Sequence, residues 1–370
     1  MNANLTTARE YASRPADQRF PSLGALIADA KHERELSKEV AYNLKDLRAA
    51  STWVEGANAA TLQLESPKGR ARFSHWSFGQ LCRMLGAPAS YLRELPPTIA
   101  ADCLNHGLTA AENGTSANLL VRAANGTPEP VIRACTSKTY GRVWDHELYS
   151  AVDDLIARHS GWTVESVTRG DRDSVLTISN KRATLQDPSV QRIVNDPQAD
   201  VGGIMYRSLT IGNSEVGGGS VWYEGGIFRA RCKNLMLWSA VVESRYRRRH
   251  VGSHVLRDVV RNLSHFAFRY LEQSSERDEA IIRQLIDREI ASTREGVIDE
   301  LRAMGATQEQ AQQAYATCEM YEAASPRSFW GVVQGMTRAS QQTEYSSDRL
   351  ELDRLAAQIL QRGARQLVAA

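Results

Sequence analysis

Apolar residues change their spacing along this chain, and the changes divide it. The first 60 residues are polar and weakly periodic except for "LGALIADA", an apolar patch suited to docking a helix on a main body. The strand-like "TLQLES" and the turn "PKGR" follow, then Ser77 and Gln80 at capping-box spacing before "FGQLCRML", a helix that Gly86 should stop. Pro88 and Pro97 suit first helical turns, which makes "PASYLREL" and "PTIAADCLNHGL" short helices. "ANLLVRAAN" and "PVIRACTS" read as strands, "DHELYSAVDDLIARHSG" as a helix closed by Gly161, and "WTVESV" and "SVLTIS" as two further strands. The polar stretch from Asn180 to Asp200 reads as a mobile loop, and strands return from Ile204 to Ser239 on both sides of three consecutive glycines.

Beyond Val255 the pattern is helical. Ser275 with Asp278, Thr307 with Gln310, and Ser325 followed by Pro326 have the chemistry of helix starts. Ile281, Ile282, Leu285, Ile286, Ile290, Val297, Leu301 and Met304 fall on one face at 3.6-residue spacing. That stripe needs a partner in the same chain or in a neighbouring subunit, and it predicts a homo-oligomer. The whole pattern predicts an α+β fold, a mixed or antiparallel sheet core with short helices followed by a helical C-terminal region. The expected division is an N-terminal arm and docking segment (1–60), an α+β core with a basic hairpin (61–255) and a helical region (256–370).

Composition narrows this picture only slightly. A chain of 370 residues with 42% hydrophobic and 24% charged content can bury a core without staples. Its five cysteines are widely spaced and odd in number, which suits reduced thiols in the cytoplasm, and no run approaches a membrane span or a signal peptide. The formal charge of +2 names no partner, but its distribution is uneven. From Arg229 to Arg261 nine basic residues face two acidic ones, whereas from Asn262 to Ser325 twelve acids face six arginines.

The stretch "NSEVGGGSVWYEGGIFRARCKNLMLW" concentrates the candidate chemistry. It has no lysine placed for a phosphate loop, and G-x-S-x-x-G followed by a strand is not a nucleophile elbow. Cys232 with Asn234 has the look of a buried small residue on a strand rather than a nucleophile. If "IFRARCKNL" is one strand, Ile227, Arg229, Arg231, Lys233 and Leu235 share a face, and the three cations form a comb with steps of about 6.7 Å. Such a comb suits a nucleic-acid backbone; cross-strand ion pairs, for instance to Glu224, are the alternative. In "RYRRRHVGSHVLR" the crowding of Arg245, Arg247, Arg248 and Arg249 requires a polyanion, acids elsewhere in the fold such as the helix from Glu276, or an acidic neighbour. Trp222 and Tyr223 lie close by in sequence and could stack bases between the cations. Between His250 and His254, Val251 stands where a zincin has its glutamate and is followed by helix-disfavouring Gly252, so no metal or other cofactor is expected. "DRD" at 171–173 reads as loop polarity and "DHE" at 145–147 as a helix N-terminus.

"SRPADQRFPSL", "APASYLRELP", "YGRVWDHEL", "NSEVGGGS", "FRARCKN" and "RRRHVG", in this order, resemble a family of phage- and plasmid-encoded proteins known mainly as a domain of unknown function. The likeness covers roughly residues 13 to 340, with Leu235 where the family usually has glycine after the cysteine-asparagine pair. The resemblance implies a mobile-element setting and DNA metabolism, and it supplies no catalytic residues. A looser, fold-level analogy is to the RecT and Redβ type of single-strand annealing protein. The leading expectation is a non-enzymatic single-stranded DNA-binding protein that promotes annealing or recombination, with Arg229, Arg231, Lys233, Arg245, Arg247, Arg248, Arg249, Trp222 and Tyr223 at the DNA. An enzyme acting on nucleic acid, with a site assembled from distant residues, and an interaction protein for an acidic host partner are the alternatives.

Overall fold

A computed structural model describes residues 11–52, 60–124, 129–186, 204–229, 234–236, 245–272, 274, 276–322 and 324–368. The architecture is α+β with a helical C-terminal region, built on two sheets.

Sheet B, the smaller, takes six strands: β2 (Ser37–Asn43), β3 (Arg48–Thr52), β4 (Thr61–Ser66), β5 (Gly69–Phe73), β6 (Ser116–Arg122) and β7 (Val131–Thr136). Their order is β2-β6-β7-β5-β4-β3, antiparallel except where β5 runs parallel to β7. Helices α2 (His75–Met84), α3 (Ala89–Glu94) and α4 (Pro97–Ala110) pack on its apolar face around Leu62, Phe73, Phe78 and Leu104. The first of these begins one turn earlier than the spacing of Ser77 and Gln80 predicts, because Ser74 and Ser77 cap each other reciprocally. Gln80 is thereby freed to reach across to the other sheet. Gly86 stops the helix with φ 67°, as expected.

Sheet A has seven strands: β1 (Gln18–Arg19), β8 (Trp162–Arg169), β9 (Ser174–Gln186), β10 (Ile204–Asn213), β11 (Val221–Arg229), β12 (Asn234–Met236) and β13 (Arg245–Arg248). They follow the order β1-β8-β9-β10-β11, and β11 pairs β13 along its first half and β12 along its second. One face buries Leu176, Ile178, Leu209 and Tyr223 against α1 (Leu23–Leu36), α5 (Asp145–Ala157) and α6 (Val255–Leu271). The patch "LGALIADA" does form the docking helix expected of it. Residues 180–186 continue β9 instead of opening a loop, and 187–200 lie outside the described residues.

The expected single helix after Glu276 is broken. Helices α7 (Glu276–Asp287) and α8 (Arg294–Ala303) share the stripe, and with α9 (Gln308–Tyr321), α10 (Phe329–Ser340) and α11 (Ser346–Val368) they enclose a common core that includes Ile282, Leu285, Val297, Leu301 and Trp330. The partner that the stripe needs is therefore in its own chain, and self-association loses that support. Thr307 caps α9 with Gln310 as expected, whereas α10 starts at Ser328 and not at Ser325. This bundle meets sheet A at Met205 and Ile227, and α11 lays Leu350 and Ala357 on Val175 and Trp222 of the sheet's other face.

Two segments far apart in the sequence, at residues 14–17 and 345–348, are clasped. The Arg14 guanidinium lies 3.8 Å from the centre of the Tyr345 ring, and Asp17 Oδ2 accepts a hydrogen bond of 2.7 Å from the Ser346 amide. Among the described residues no helix is long and apolar enough to cross a membrane.

Candidate nucleic-acid interface and the charged hub beside it

The hairpin loop between β10 and β11, residues 214–220, reaches from sheet A to sheet B. Trp76 Nε1 and Gln80 Nε2 of α2 both donate to the Val216 carbonyl, at 3.1 and 2.7 Å, and Gln80 Oε1 accepts from the Cys135 amide of β7. Val216 itself fills a small apolar cluster with Leu120 and Ala134 of sheet B.

Next to it, Glu215 is 3% exposed and fully engaged. Its Oε1 accepts from the Asp145 amide (2.8 Å), and its Oε2 accepts from Arg133 Nη2 (2.8 Å) and Arg169 Nη2 (3.0 Å). Arg169 also binds Asp145 Oδ2 (3.1 Å) and Asp29 (2.8 Å), and Asp145 Oδ1 accepts from Ser174 Oγ and Asn213 Nδ2, both at 2.7 Å. Burial would raise the Glu215 carboxyl, but Arg133 and Arg169 override it and hold it below its ordinary value. Burial, and after it the Glu215 charge, pushes Asp145 up to about 6 against the pull of Arg169. Both carboxylate oxygens of Glu215 and both of Asp145 are occupied by donors from within the fold, so these two acids are built into a joint between layers.

Three blocks of sequence converge on this joint. Tyr140 donates its hydroxyl to the Ser214 carbonyl (2.6 Å), Arg142 Nη1 donates to the Glu215 carbonyl, and the Gly141 amide donates to the His250 carbonyl (2.9 Å). His250 stacks on Tyr140 with ring centres 4.9 Å apart, and burial pushes its pKa down to about 4. His254 stands at the N-cap of α6, so the two histidines do not share a helix face. Among the described residues no group of three or more His, Cys, Asp or Glu is placed to hold a metal ion.

The predicted DNA residues divide. "IFRARCKNL" is not one strand: β11 ends at Arg229, and Leu235 of β12 stands opposite Phe228 in an antiparallel pair. A continuous comb on one strand face is thereby corrected. Arg229 closes β11 opposite Asn234, while Arg231 and Lys233 lie outside the described residues. Tyr223 is fully buried and stacked on Tyr246 at 4.4 Å, because odd positions of β11 face the α6 layer; it cannot receive a base. Trp222 faces the opposite way, but its ring rests against Gly212 and carries the Arg354 guanidinium 4.7 Å from its centre.

The arginines of β13 hold their expected position at the surface. Arg245 and Arg247 stand opposite Glu224 and Trp222 on the α11 side, whereas Arg248 points to α6 and pairs with Asp258 at 3.1 Å. Glu224 serves both Arg245 (3.8 Å) and Arg354 (3.3 Å). Among the described residues neither Arg247 nor the exposed Arg249 has a carboxylate within ion-pair distance. Burial, and then the charges of Arg245 and Arg354, lower the Arg247 pKa. Arg172, Arg247 and Arg354, together with Asp173 and Glu351, line a cavity of about 120 Å³ whose wall includes Ser214, Gly218, Gly219 and Ser220 of the loop, and Arg172 pairs with Asp173 at 3.8 Å. Arg172 and Arg354 carry no signal in the sequence pattern; only the fold brings residues 172, 247 and 354 together.

Compared with protein-family models, with curated proteins and with solved structures, the chain matches none.

Proposed function

We propose that the protein is a non-enzymatic single-stranded DNA-binding protein that holds the strand by its phosphates along Arg245, Arg247 and Arg249, with Arg172 and Arg354 beside them. The observation that carries this reading is the surplus of positive charge around Arg247, whose guanidinium is crowded by two others with one shared glutamate between them. Like charges held together in the free protein are relieved when an anion arrives, and a row on a strand edge suits a chain of anions better than a single one. With Tyr223 buried and Trp222 covered, phosphate contact is favoured over base stacking, so binding should be indifferent to sequence. The resemblance to mobile-element proteins supplies the setting, and annealing of complementary strands is the activity such a surface would serve.

The test is fluorescence anisotropy with labelled oligothymidylate, a mixed-sequence single strand, duplex DNA and RNA at several salt concentrations. The reading expects affinity for both single strands to fall with salt at a slope of about −0.7 per phosphate neutralised. It expects the triple variant Arg245→Ala, Arg247→Ala, Arg249→Ala to flatten that slope. Unchanged slope and affinity in a folded triple variant would remove the proposal.

A further inference from the structure

Among the described residues, the apolar face of sheet B extends beyond the helices that cover it. Beyond them it continues as a groove of about 290 Å³, whose walls come from strands and turns apart from Leu36 at the end of α1. Its floor crosses five neighbouring strands: Val40 on β2, Leu119 and Val121 on β6, Ile132 on β7, Ala71 on β5 and Leu64 on β4. Four strand spacings of about 4.8 Å give it a length of about 19 Å, which an extended segment of about six residues would span.

Cations stand at both ends. Lys38 lies at the β2 end, and Lys68 and Arg70 lie at the turn between β4 and β5. All three are exposed, and among the described residues none has a carboxylate within ion-pair distance. An apolar trough with unneutralised positive charge at either end matches an occupant that carries bulky apolar side chains in its middle and negative charge on both sides. A single-headed amphiphile could satisfy only one end, and a nucleic-acid strand would leave the apolar floor without a partner.

We propose that this groove binds an extended peptide segment of a partner protein, about six residues long, in which bulky apolar side chains are flanked at both ends by acidic ones. Its recognition combines burial of apolar side chains on Val40 and Val121, both half-buried in the free protein, with charge pairing at Lys38 and Lys68. The site shares no residue with the arginine edge, so it stands whether or not that edge binds DNA.

The experiment uses the full chain and two fluorescein-labelled hexapeptides, Asp-Leu-Phe-Leu-Phe-Asp and Lys-Leu-Phe-Leu-Phe-Lys. The acidic peptide is expected to bind at least tenfold more tightly than the basic one and to weaken with salt. The variant Lys38→Glu, Lys68→Glu should weaken it at least tenfold, and Val121→Glu should abolish it, while melting temperature and oligothymidylate binding stay as in the parent. Should Val121→Glu fail to fold, the lysine variant, which alters only exposed side chains, decides the matter alone. Equal binding of the two peptides, or binding unaffected by the lysine variant, overturns the proposal. So does displacement of the acidic peptide by decanoate, which would make the groove an amphiphile site, or by oligothymidylate, which would place the peptide on the arginine edge. Sedimentation showing that Val121→Glu splits a dimer that had excluded the peptide would assign the groove to a second copy of this chain.

Discussion

Arg133 and Arg169 lie half-buried at the joint, Arg133 held by Glu33 and Glu215 and Arg169 by Asp29, Asp145 and Glu215, whereas Arg245, Arg247 and Arg249 stand exposed on or beside β13 with Glu224 as the acid within reach of that row. In the first region the fold supplies the anions, because moving a guanidinium out of water without them would cost several kcal/mol. In the second, water solvates the cations and the fold leaves them short of negative charge, so an outside anion can complete them. A bland account of the second region is protection of a sheet edge from pairing with another chain, since charged side chains on edge strands do that too. The two accounts differ in what binding does to the cations and in what their removal does to stability.

The largest effect is expected at the joint. Arg169→Met leaves Glu215 and Asp145 buried with fewer partners, and urea unfolding should show a loss of about 3–5 kcal/mol. A loss below about 1 kcal/mol would erase the distinction between the two regions.

A buried acid with weaker compensation sharpens the comparison. Asp353 is 1% exposed, accepts from Ser340 Oγ at 2.7 Å, and has Arg349 Nε only at 3.9 Å, so burial pushes its carboxyl up to about 7. Its folded pKa exceeds the unfolded value, so the native state holds the proton more tightly. Stability should therefore decline as pH rises from about 4 to about 7, and Asp353→Asn should remove a decline on the order of 3 kcal/mol from the pH profile. Glu215, with its pKa lowered, runs the other way and loses stability in acid.

At the exposed edge the same kind of side chain should matter for binding alone. Truncating Arg245, Arg247 and Arg249 together should weaken oligothymidylate binding at least tenfold, about 1.4 kcal/mol, with unfolding free energy within about 0.5 kcal/mol of the parent. Smallest of all should be Arg248→Ala. Its pair with Asp258 is half exposed, and both affinity and stability should move by less than about 1 kcal/mol.

Much of the architecture was legible because period and punctuation are local properties. The helices from Pro97 and Asp145, the strands flanking the glycines and the cap at Thr307 all follow from residues within a few positions of one another. Where the reading failed, a distant partner decided the outcome. Gln80 was taken for a cap residue although its amide spans two sheets, and the stripe from Ile281, left between its own chain and a neighbouring subunit, is covered by α10 and α11. "DHE" and "NSE" gave no hint that Asp145 and Glu215 meet, because alternation along a strand does not say which loop will arrive above it. Tyr223 and Trp222, neighbours in sequence, ended on opposite faces for the ordinary reason that strand positions alternate. The crowding of Arg245, Arg247, Arg248 and Arg249 needed no distant partner to be seen, since it is visible in five consecutive letters.

The clasp between Arg14–Asp17 and Tyr345–Asp348 joins positions 329 residues apart, as measured from Asp17 to Ser346. During synthesis at roughly 5–20 residues per second, the N-terminal half of that clasp waits tens of seconds for its other half to be made. Closing so long a loop costs about 5 kcal/mol of chain entropy, which the intervening sheets must have largely met before the ends can find each other. Sheet A thus receives its first strand under a seal that closes only after residues 345–348 have been made, and a nascent chain stalled before Tyr345 would present β1 as the least secured part of its sheet.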